Sequence, residues 1–308
     1  MTHTPATPKM SATTKMSATT DDSLRPRRSV LYMPAANERA LEKAKTIAAD
    51  AIIFDLEDAV APDAKDSARP NAVAAASSGE YGNRELTIRC NGLDTQWGAD
   101  DLAAAAKSGA SAIVIPKVSS VAALDHISRM LDAAGAPDTL TIWAMIETPT
   151  AIFDVRAIAS HSRVSALVMG TNDLARELRA ALVPGRHPLV AHLAVSLAAA
   201  REAGKVILDG VFNDVKNLEG FRDECVQGAE MGFDGKTLIH PGQVDIANEV
   251  WAPSEAEVAH ARRVIDAFDE GLREGRGVVT VDGRMIENLH VANARRAIAT
   301  ADAIAALS

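Results

Sequence analysis

Two stretches of the chain end in carboxylates at places where a carboxylate needs a partner. The first is Thr141 to Pro149, T-I-W-A-M-I-E-T-P. It reads as a buried strand that ends in Glu147 and turns through Thr148 into a helix opened by Pro149. The second is Ser165 to Asp173, S-A-L-V-M-G-T-N-D, an apolar run that passes through Gly170, Thr171 and Asn172 to Asp173. Glu147 and Asp173 stand 26 residues apart, the length of one βα unit, so a parallel sheet or barrel would set them side by side at one edge. Such a pair is a candidate site for a divalent cation, which takes oxygen ligands and completes its shell with water or substrate. Taken singly, each carboxylate also fits a plainer role, capping the helix that follows.

The elements that must position them alternate along the chain. Short apolar runs suited to strands are Ser29–Met33, Ala51–Leu56, Glu85–Cys90, Ala112–Pro116, Thr141–Ile146, Ala166–Met169, Val206–Val211 and Gly235–Ile239. Helical patterns separate them at Glu38–Ala49, Ala64–Ala76, Ala99–Lys107, Val121–Ala134, Thr150–Ser160, Leu189–Ala203, Leu218–Met231 and Gly242–Val250. Strict alternation of eight and eight predicts an α/β protein, a (β/α)8 TIM barrel. The runner-up, a doubly wound sheet, is disfavoured because Pro34-Ala35-Ala36-Asn37 stands where a G-x-G-x-x-G would open the first helix. Polar residues gather just after the apolar runs: Glu57 and Asp58, Arg89 and Asn91, Lys117, Glu147, Asn172 and Asp173, Asn213 and Asp214, and His240. In a barrel all of these converge on the C-terminal mouth, where barrel active sites lie.

Composition narrows the class. The chain has 308 residues, 47% of them hydrophobic and 4% aromatic, with a net charge of −9. Its pI is about 5.4, and with basic residues scattered rather than striped it is not read as a nucleic-acid binder. No apolar run approaches the ~18 residues that span a membrane, so no membrane partner is expected. Cys90 and Cys225, 135 residues apart, fit neither a zinc ribbon nor a disulfide framework, and the expected location is the cytoplasm. Residues 1–24 are rich in Thr, Ser, Pro and Ala and repeat K-M-S-A-T-T in tandem; Lys9 and Lys15 are followed by no apolar segment of the secretory kind. This stretch reads as disordered low complexity, and the duplication is consistent with an upstream start. Residues 25–250 would form the barrel. Residues 251–308 form an extension: a helix opened by the S-x-x-E box at Ser254, a strand or hairpin arm within Gly275–Asp282, and a last helix from Asn288 to Leu307. A barrel closes without it, so it is expected to pack on a neighbouring subunit or to cover a mouth.

Taken in order, the motifs R-R-S-V-L-Y-M-P, N-E-R-A-L-E-K-A, F-D-L-E-D-A-V, T-I-R-C-N-G, I-P-K-V, M-I-E-T-P, M-G-T-N-D-L and G-F-D-G-K-T-L-I-H-P resemble the citrate lyase β-subunit-like (CitE-like) group of the HpcH/HpaI aldolase superfamily, which includes malyl-CoA and citramalyl-CoA lyases. The resemblance covers Arg28 to Ser308. It implies Mg2+, or Mn2+ in its place, held by Glu147 and Asp173, a CoA thioester as substrate, and cleavage or formation of a carbon–carbon bond. It implies Arg89 as the substrate-binding arginine, able to clamp a carboxylate or steady a developing oxyanion. Glu57 or Asp58 would orient Arg89 or hold metal-bound water. For Lys117 two readings stand: backbone contact to substrate, or an ammonium paired with Glu57 or Asp58. Arg39 and Lys43 either contact CoA phosphates or form a solvated helix face, and His240 reads as a structural turn residue. In lyases the segment resembling V-D-G-R-M-I-E-N carries an Asp where this chain has Glu287, a general acid/base delivered to an adjacent subunit; Asp282 is the weaker substitute. Glu287 has the same charge on a longer stem.

The expected activity is a retro-Claisen lyase on a malyl-, citramalyl- or citryl-CoA, acting as a homo-oligomer, trimer or hexamer. Three rivals use the same barrel: a malyl-CoA-type thioesterase, a β subunit dependent on an α subunit and an acyl carrier protein, and a pyruvate aldolase without CoA.

Overall fold

In the computed structural model, which describes residues 25–307, eight parallel strands close into a barrel in sequence order. They are β1 Ser29–Pro34, β2 Ala51–Asp55, β3 Glu85–Arg89, β4 Ala112–Ile115, β5 Thr141–Ile146, β6 Val164–Met169, β7 Val206–Asp209 and β8 Gly235–Leu238. Around them run α1 Glu38–Ala44, α2 Lys65–Ser77, α3 Gly98–Ala105, α4 Val121–Ala133, α5 Pro149–Ala159, α6 Thr171–Leu178, α7 Val190–Glu202, α8 Leu218–Met231 and α9 Val244–Val250. The expected TIM barrel is therefore present. The expectation for residues 1–24 falls outside the described residues.

Strand parity explains what reaches the mouth. Side chains alternate across a strand, and Val30, Ile53, Val114, Trp143, Met145 and Val168 form the apolar filling inside the barrel. Leu31, Ile52, Ile88, Ile113, Ile142 and Leu167 face the helices instead. Two residues beyond the inner layer on each strand lie Tyr32, Asp55 and Glu147, and Arg89 follows the buried Thr87 in the same way. These four are thus inward-facing residues at the top of four strands. Trp143 plugs the lower barrel, with the Arg27 guanidinium 5.6 Å from its ring centre.

Two helices differ from the expectation. α1 stops at Ala44 rather than Ala49, because Lys45, Thr46 and Ile47 turn back by bonds to residues three earlier (Glu42, Lys43 and Ala44), and Thr46 Oγ1 also donates to the Lys43 carbonyl. α6 was not expected at all: Thr171–Leu178 coils directly after β6, so Asp173 sits in the first turn of a helix rather than on a strand end. There it faces the positive end of the helix dipole. α5 opens as its sequence implies, with Thr148 Oγ1 accepting from the Ala151 amide and Pro149 as first helical residue.

Beneath the mouth, between β7 and β8, lies a buried ionic cluster. Asp209, fully buried, accepts from Arg186 Nη1 at 2.6 Å and Lys236 Nζ at 2.9 Å, and Lys236 also donates to Glu224 at 2.8 Å. Burial alone would raise the Asp209 carboxyl, but Lys236 and Arg186 outweigh it and hold it below its usual range. The cluster ties the loop carrying Arg186, β7, α8 and β8 together.

After the barrel come α10 Glu255–Arg273, a hairpin of β9 Val279–Val281 and β10 Arg284–Ile286, and α11 Asn288–Ala305. Ser254 and Glu257 form the capping box expected of S-x-x-E. Asp282 and Gly283, at φ 49° and 76°, make the two-residue turn that Asp-Gly favours in hairpins. Val264, Phe268, Val281, Ile286 and Val291 build a small apolar core separate from the barrel's. Among the described residues no helix is long and apolar enough to cross a membrane.

Replacing Lys236 by Met should strip Asp209 and Glu224 of a shared cation and destabilise the fold by ~3–5 kcal/mol. Urea unfolding followed by circular dichroism would show this as a lowered midpoint; an unchanged midpoint would mean that the cluster does not hold the fold together.

Candidate active site

Glu147 follows β5 and points into the mouth, 2% exposed. Its Oε1 accepts from the Lys117 backbone N–H at 2.7 Å. Lys117 has φ 52°, a left-handed conformation uncommon for a non-glycine residue, and this turn after β4 aims the amide at Glu147. Oε2 has no hydrogen bond among the described residues. Burial raises the Glu147 carboxyl to about 7; the Lys117 N–H lowers it in part, and Asp173 adds to the rise. Gly170 leaves the room: a Cβ there would lie 2.2 Å from Glu147 Oε2.

Asp173, half-buried in the first turn of α6, pairs with Arg176 at 2.6 Å. It lines, with Glu147, a pocket of about 270 Å³ bounded by Tyr32, Asp55, Arg89, Asn172 and Asn213. Among the described residues no three His, Cys, Asp or Glu side chains gather as a metal site. The protein would then offer two carboxylates, one of them buried with an unpartnered oxygen and a strong need for positive charge. That donor set fits a hard, oxygen-seeking ion such as Mg2+, which keeps several positions for water and substrate.

Across the pocket Arg89 is locked in place. Nε and Nη2 each donate to Asp55 at 2.6 Å, Nη1 lies 2.9 Å from Glu57 and 3.6 Å from the exposed Asp58, and the guanidinium stacks 4.6 Å from the Tyr32 ring centre. Asp55 is itself fixed by the amides of Glu57 and Ala59. Burial raises the Glu57 carboxyl to about 8 in spite of Arg89, with Asp58, Glu147 and Asp55 adding to the rise.

The structure thus brings Arg89, Glu147, Asp173 and Asp58 to one pocket, with Glu57 against Arg89. It corrects the Lys117 alternative: the ammonium is exposed and pairs with neither Glu57 nor Asp58, which both turn to Arg89. Arg39 and Lys43 are exposed on α1, beyond the pocket, without an ion pair among the described residues. Glu287 is exposed at the start of α11 and does not line the pocket of its own chain. His240 caps a turn, accepting from the Gly242 amide at 3.0 Å. Asn91 is buried and bonded to Leu56, Asp101 and Lys65, so it braces the end of β3. The sequence reading missed Asp55 and Tyr32; their inward parity, matching Ile53 and Val30, was the available signal.

Comparison with known proteins now decides the family. The HpcH/HpaI aldolase/citrate lyase family matches residues 28–241. The chain belongs to this family. It is 53% identical over 281 residues to the (3S)-malyl-CoA thioesterase of Cereibacter sphaeroides, covering 91% of this chain and 96% of that protein. It is 38% identical to the citrate lyase β subunit of Escherichia coli, covering 90% and 94%. A crystal structure of CitE from Mycobacterium tuberculosis in complex with magnesium, acetoacetate and coenzyme A superposes with a TM-score of 0.74 at 27% identity, covering 89% and 97%. The chain is accordingly an enzyme of the HpcH/HpaI aldolase/citrate lyase family. That solved relative carries magnesium and coenzyme A, and the carboxylate pair of this chain suits the same ion.

The raised carboxyls set a pH dependence. Below the ordinary value of 4.5, Glu147 is protonated in folded and unfolded chains alike. As pH rises toward 7 the unfolded chain releases its proton first, so metal-free protein loses stability over that window. In EDTA, Glu147→Gln should therefore be more stable than the parent at pH 8, by roughly 3 kcal/mol, and equal to it below pH 4.5. Urea unfolding at both pH values tests this; an equal gain at both would remove the titration as its cause.

Proposed function

We propose that this enzyme is a Mg2+-dependent lyase for a 3-hydroxyacyl-CoA of the malyl-, citramalyl- or citryl-CoA type. The observation that carries this reading is one pocket holding a locked cation, Arg89, and a carboxylate pair, Glu147 and Asp173, suited to a divalent ion. When bound, Mg2+ would supply positive charge for the substrate's carboxylate and hydroxyl oxygens. Arg89, preorganised by Asp55 and the Tyr32 ring, binds the oxygen that gains charge as the bond breaks, so little reorganisation is needed at that moment. In the cleavage the hydroxyl gives its proton to water and becomes a carbonyl, and the electron pair of the C–C bond passes to the CoA-bearing fragment as an enolate. Protonation of that carbon gives acetyl-CoA, or a homologue, beside a 2-oxo acid. Glu57, 2.9 Å from Arg89 Nη1, keeps the guanidinium in place. Glu287 of a second copy is assigned the proton transfer to carbon, Arg39 and Lys43 the CoA phosphates, and the working form is a homo-oligomer. A cytoplasmic location fits the two free, buried thiols, Cys90 and Cys225.

A second reading has its own support. The relative at 53% identity, matched over 96% of its length, is named a thioesterase. In that reaction water attacks the thioester carbonyl, the C–S bond breaks, and CoA thiol leaves with a proton while the carbon skeleton stays whole. It needs no acid at the enolate carbon, so Glu287 would be dispensable.

Purified protein with Mg2+, offered malyl-, citramalyl- and citryl-CoA, should release an acyl-CoA and a 2-oxo acid in equal amounts. Free CoA with an intact hydroxy acid would establish the hydrolase instead. Glu147→Ala should abolish both Mg2+ binding, read by calorimetry, and turnover; surviving turnover would sink the assignment.

The reach of Glu287 into a neighbour is tested by mixing inactive Glu287→Ala with inactive Glu147→Ala. Mixed oligomers should regain lyase activity, because some sites then hold an intact Glu147 and an intact Glu287. No recovery on subunit exchange would place Glu287 outside the reaction.

A further inference from the structure

A second cavity, of about 580 Å³, opens beside the metal-side pocket of about 270 Å³. It lies between the loop Ala181–Arg186 and helix α8, and the two share Thr171, Asn172, Val211 and Asn213 as common walls. At the junction the side-chain amides of Asn172 and Asn213 satisfy each other, in two bonds of 3.0 and 2.8 Å. A chain passing there meets amides that already have partners.

The chemistry of the cavity selects its occupant. Leu182, Val183, Leu189 and Phe212 supply apolar wall. Its one cation among the described residues, Arg186, is 5% exposed; Nη1 donates to Asp209 at 2.6 Å and Nε to Gln227 at 2.9 Å, while Nη2 is buried without a hydrogen-bond partner, out of reach of an occupant. Glu224 is balanced by Lys236, and the exposed Asp214 and Asp223 leave the rest of the lining net negative. A second carboxylate entering here would lose water and meet like charge, whereas an aliphatic group would bury apolar surface.

We propose that this cavity takes an uncharged aliphatic branch on the hydroxyl-bearing carbon of the substrate, the side chain of the 2-oxo acid released on cleavage. This deepens the lyase reading and rests on it. The preferred substrates are then 3-carboxy-3-hydroxyacyl-CoA esters with an alkyl substituent of several carbons, and a citryl-type substrate, whose substituent ends in a carboxylate, is disfavoured.

The full-length protein with Mg2+ is titrated calorimetrically with pyruvate, 2-oxobutyrate, 2-oxopentanoate and 2-oxoglutarate. Affinity should rise about three- to fourfold per methylene from pyruvate to 2-oxopentanoate. 2-Oxoglutarate, of the same carbon count but ending in a carboxylate, should bind at least about tenfold more weakly than 2-oxopentanoate. Ala181→Trp, which fills the cavity from its exposed loop, should cancel the chain-length gain and leave pyruvate unchanged. A flat series, or tighter binding of 2-oxoglutarate, overturns the inference alone. Failure of every 2-oxo acid, pyruvate included, to bind with Mg2+ overturns the lyase reading and the inference together.

Discussion

The mouth of the barrel is organised by a carboxylate denied water. Glu147 ends a strand whose lower neighbours, Met145 and Trp143, are buried in the barrel filling, so the parity that seats the core also drives this carboxyl inward. Desolvation of a charge is costly, and the surroundings offset it only in part. Lys117 adopts a left-handed backbone to supply one amide, and Gly170 lacks a side chain so that the second oxygen has room. Both features sit in loops that would otherwise be free to vary. Each makes sense only with Glu147 held where it is.

Two ionic clusters in the same barrel show how charge balance separates structure from function. Around Asp209, two cations meet two carboxylates, and the Asp209 carboxyl stays below its usual range although fully buried. Around Arg89, one cation meets Asp55, Glu57 and Asp58, with Glu147 and Asp173 in the same pocket, and the carboxyls of Glu57 and Glu147 rise to about 8 and about 7. The first cluster is complete in itself. The second is short of positive charge, and perturbed carboxyls in a concave site are a mark of function. A divalent ion would correct that deficit.

Much of this was legible in the sequence, because alternation of apolar runs and helices at βα spacing leaves few topologies open. Glu147, Asp173 and Arg89 were found because each follows an apolar run, and strand ends converge in a barrel. Asp55 was missed for the opposite reason: it lies within the apolar stretch A-I-I-F-D-L, where it reads as one more strand residue until its parity with Ile53 is noted. Tyr32 was hidden in the same way, as an aromatic that fits a core. α6 escaped because G-T-N-D reads as loop, although Gly170 is simply the residue before a helix that starts at Thr171. The Lys117 backbone could not be read either, since a left-handed lysine carries no mark in its identity, unlike a glycine in the same conformation.

The extension after the barrel is ordered by its own small core, but its surface is unfinished. Ile286 is buried among Val281, Val291 and Phe268, while Met285 and Leu289, flanking Glu287 on either side, are 62% and 64% exposed. Glu287 is the N-cap of α11, its amide donating to His290 Nδ1 at 3.2 Å, yet its carboxylate stands exposed between two exposed apolar side chains. The extension's own attachment points elsewhere: Arg296 of α11 reaches Asp234, the residue that leads into β8, at the end of the barrel opposite the mouth. Glu287 itself is exposed. Covering Met285 and Leu289 by a second copy would bury apolar surface and bring a carboxylate to a partner in one step, and that coupling is the physical basis for assigning Glu287 to a neighbour's pocket rather than its own.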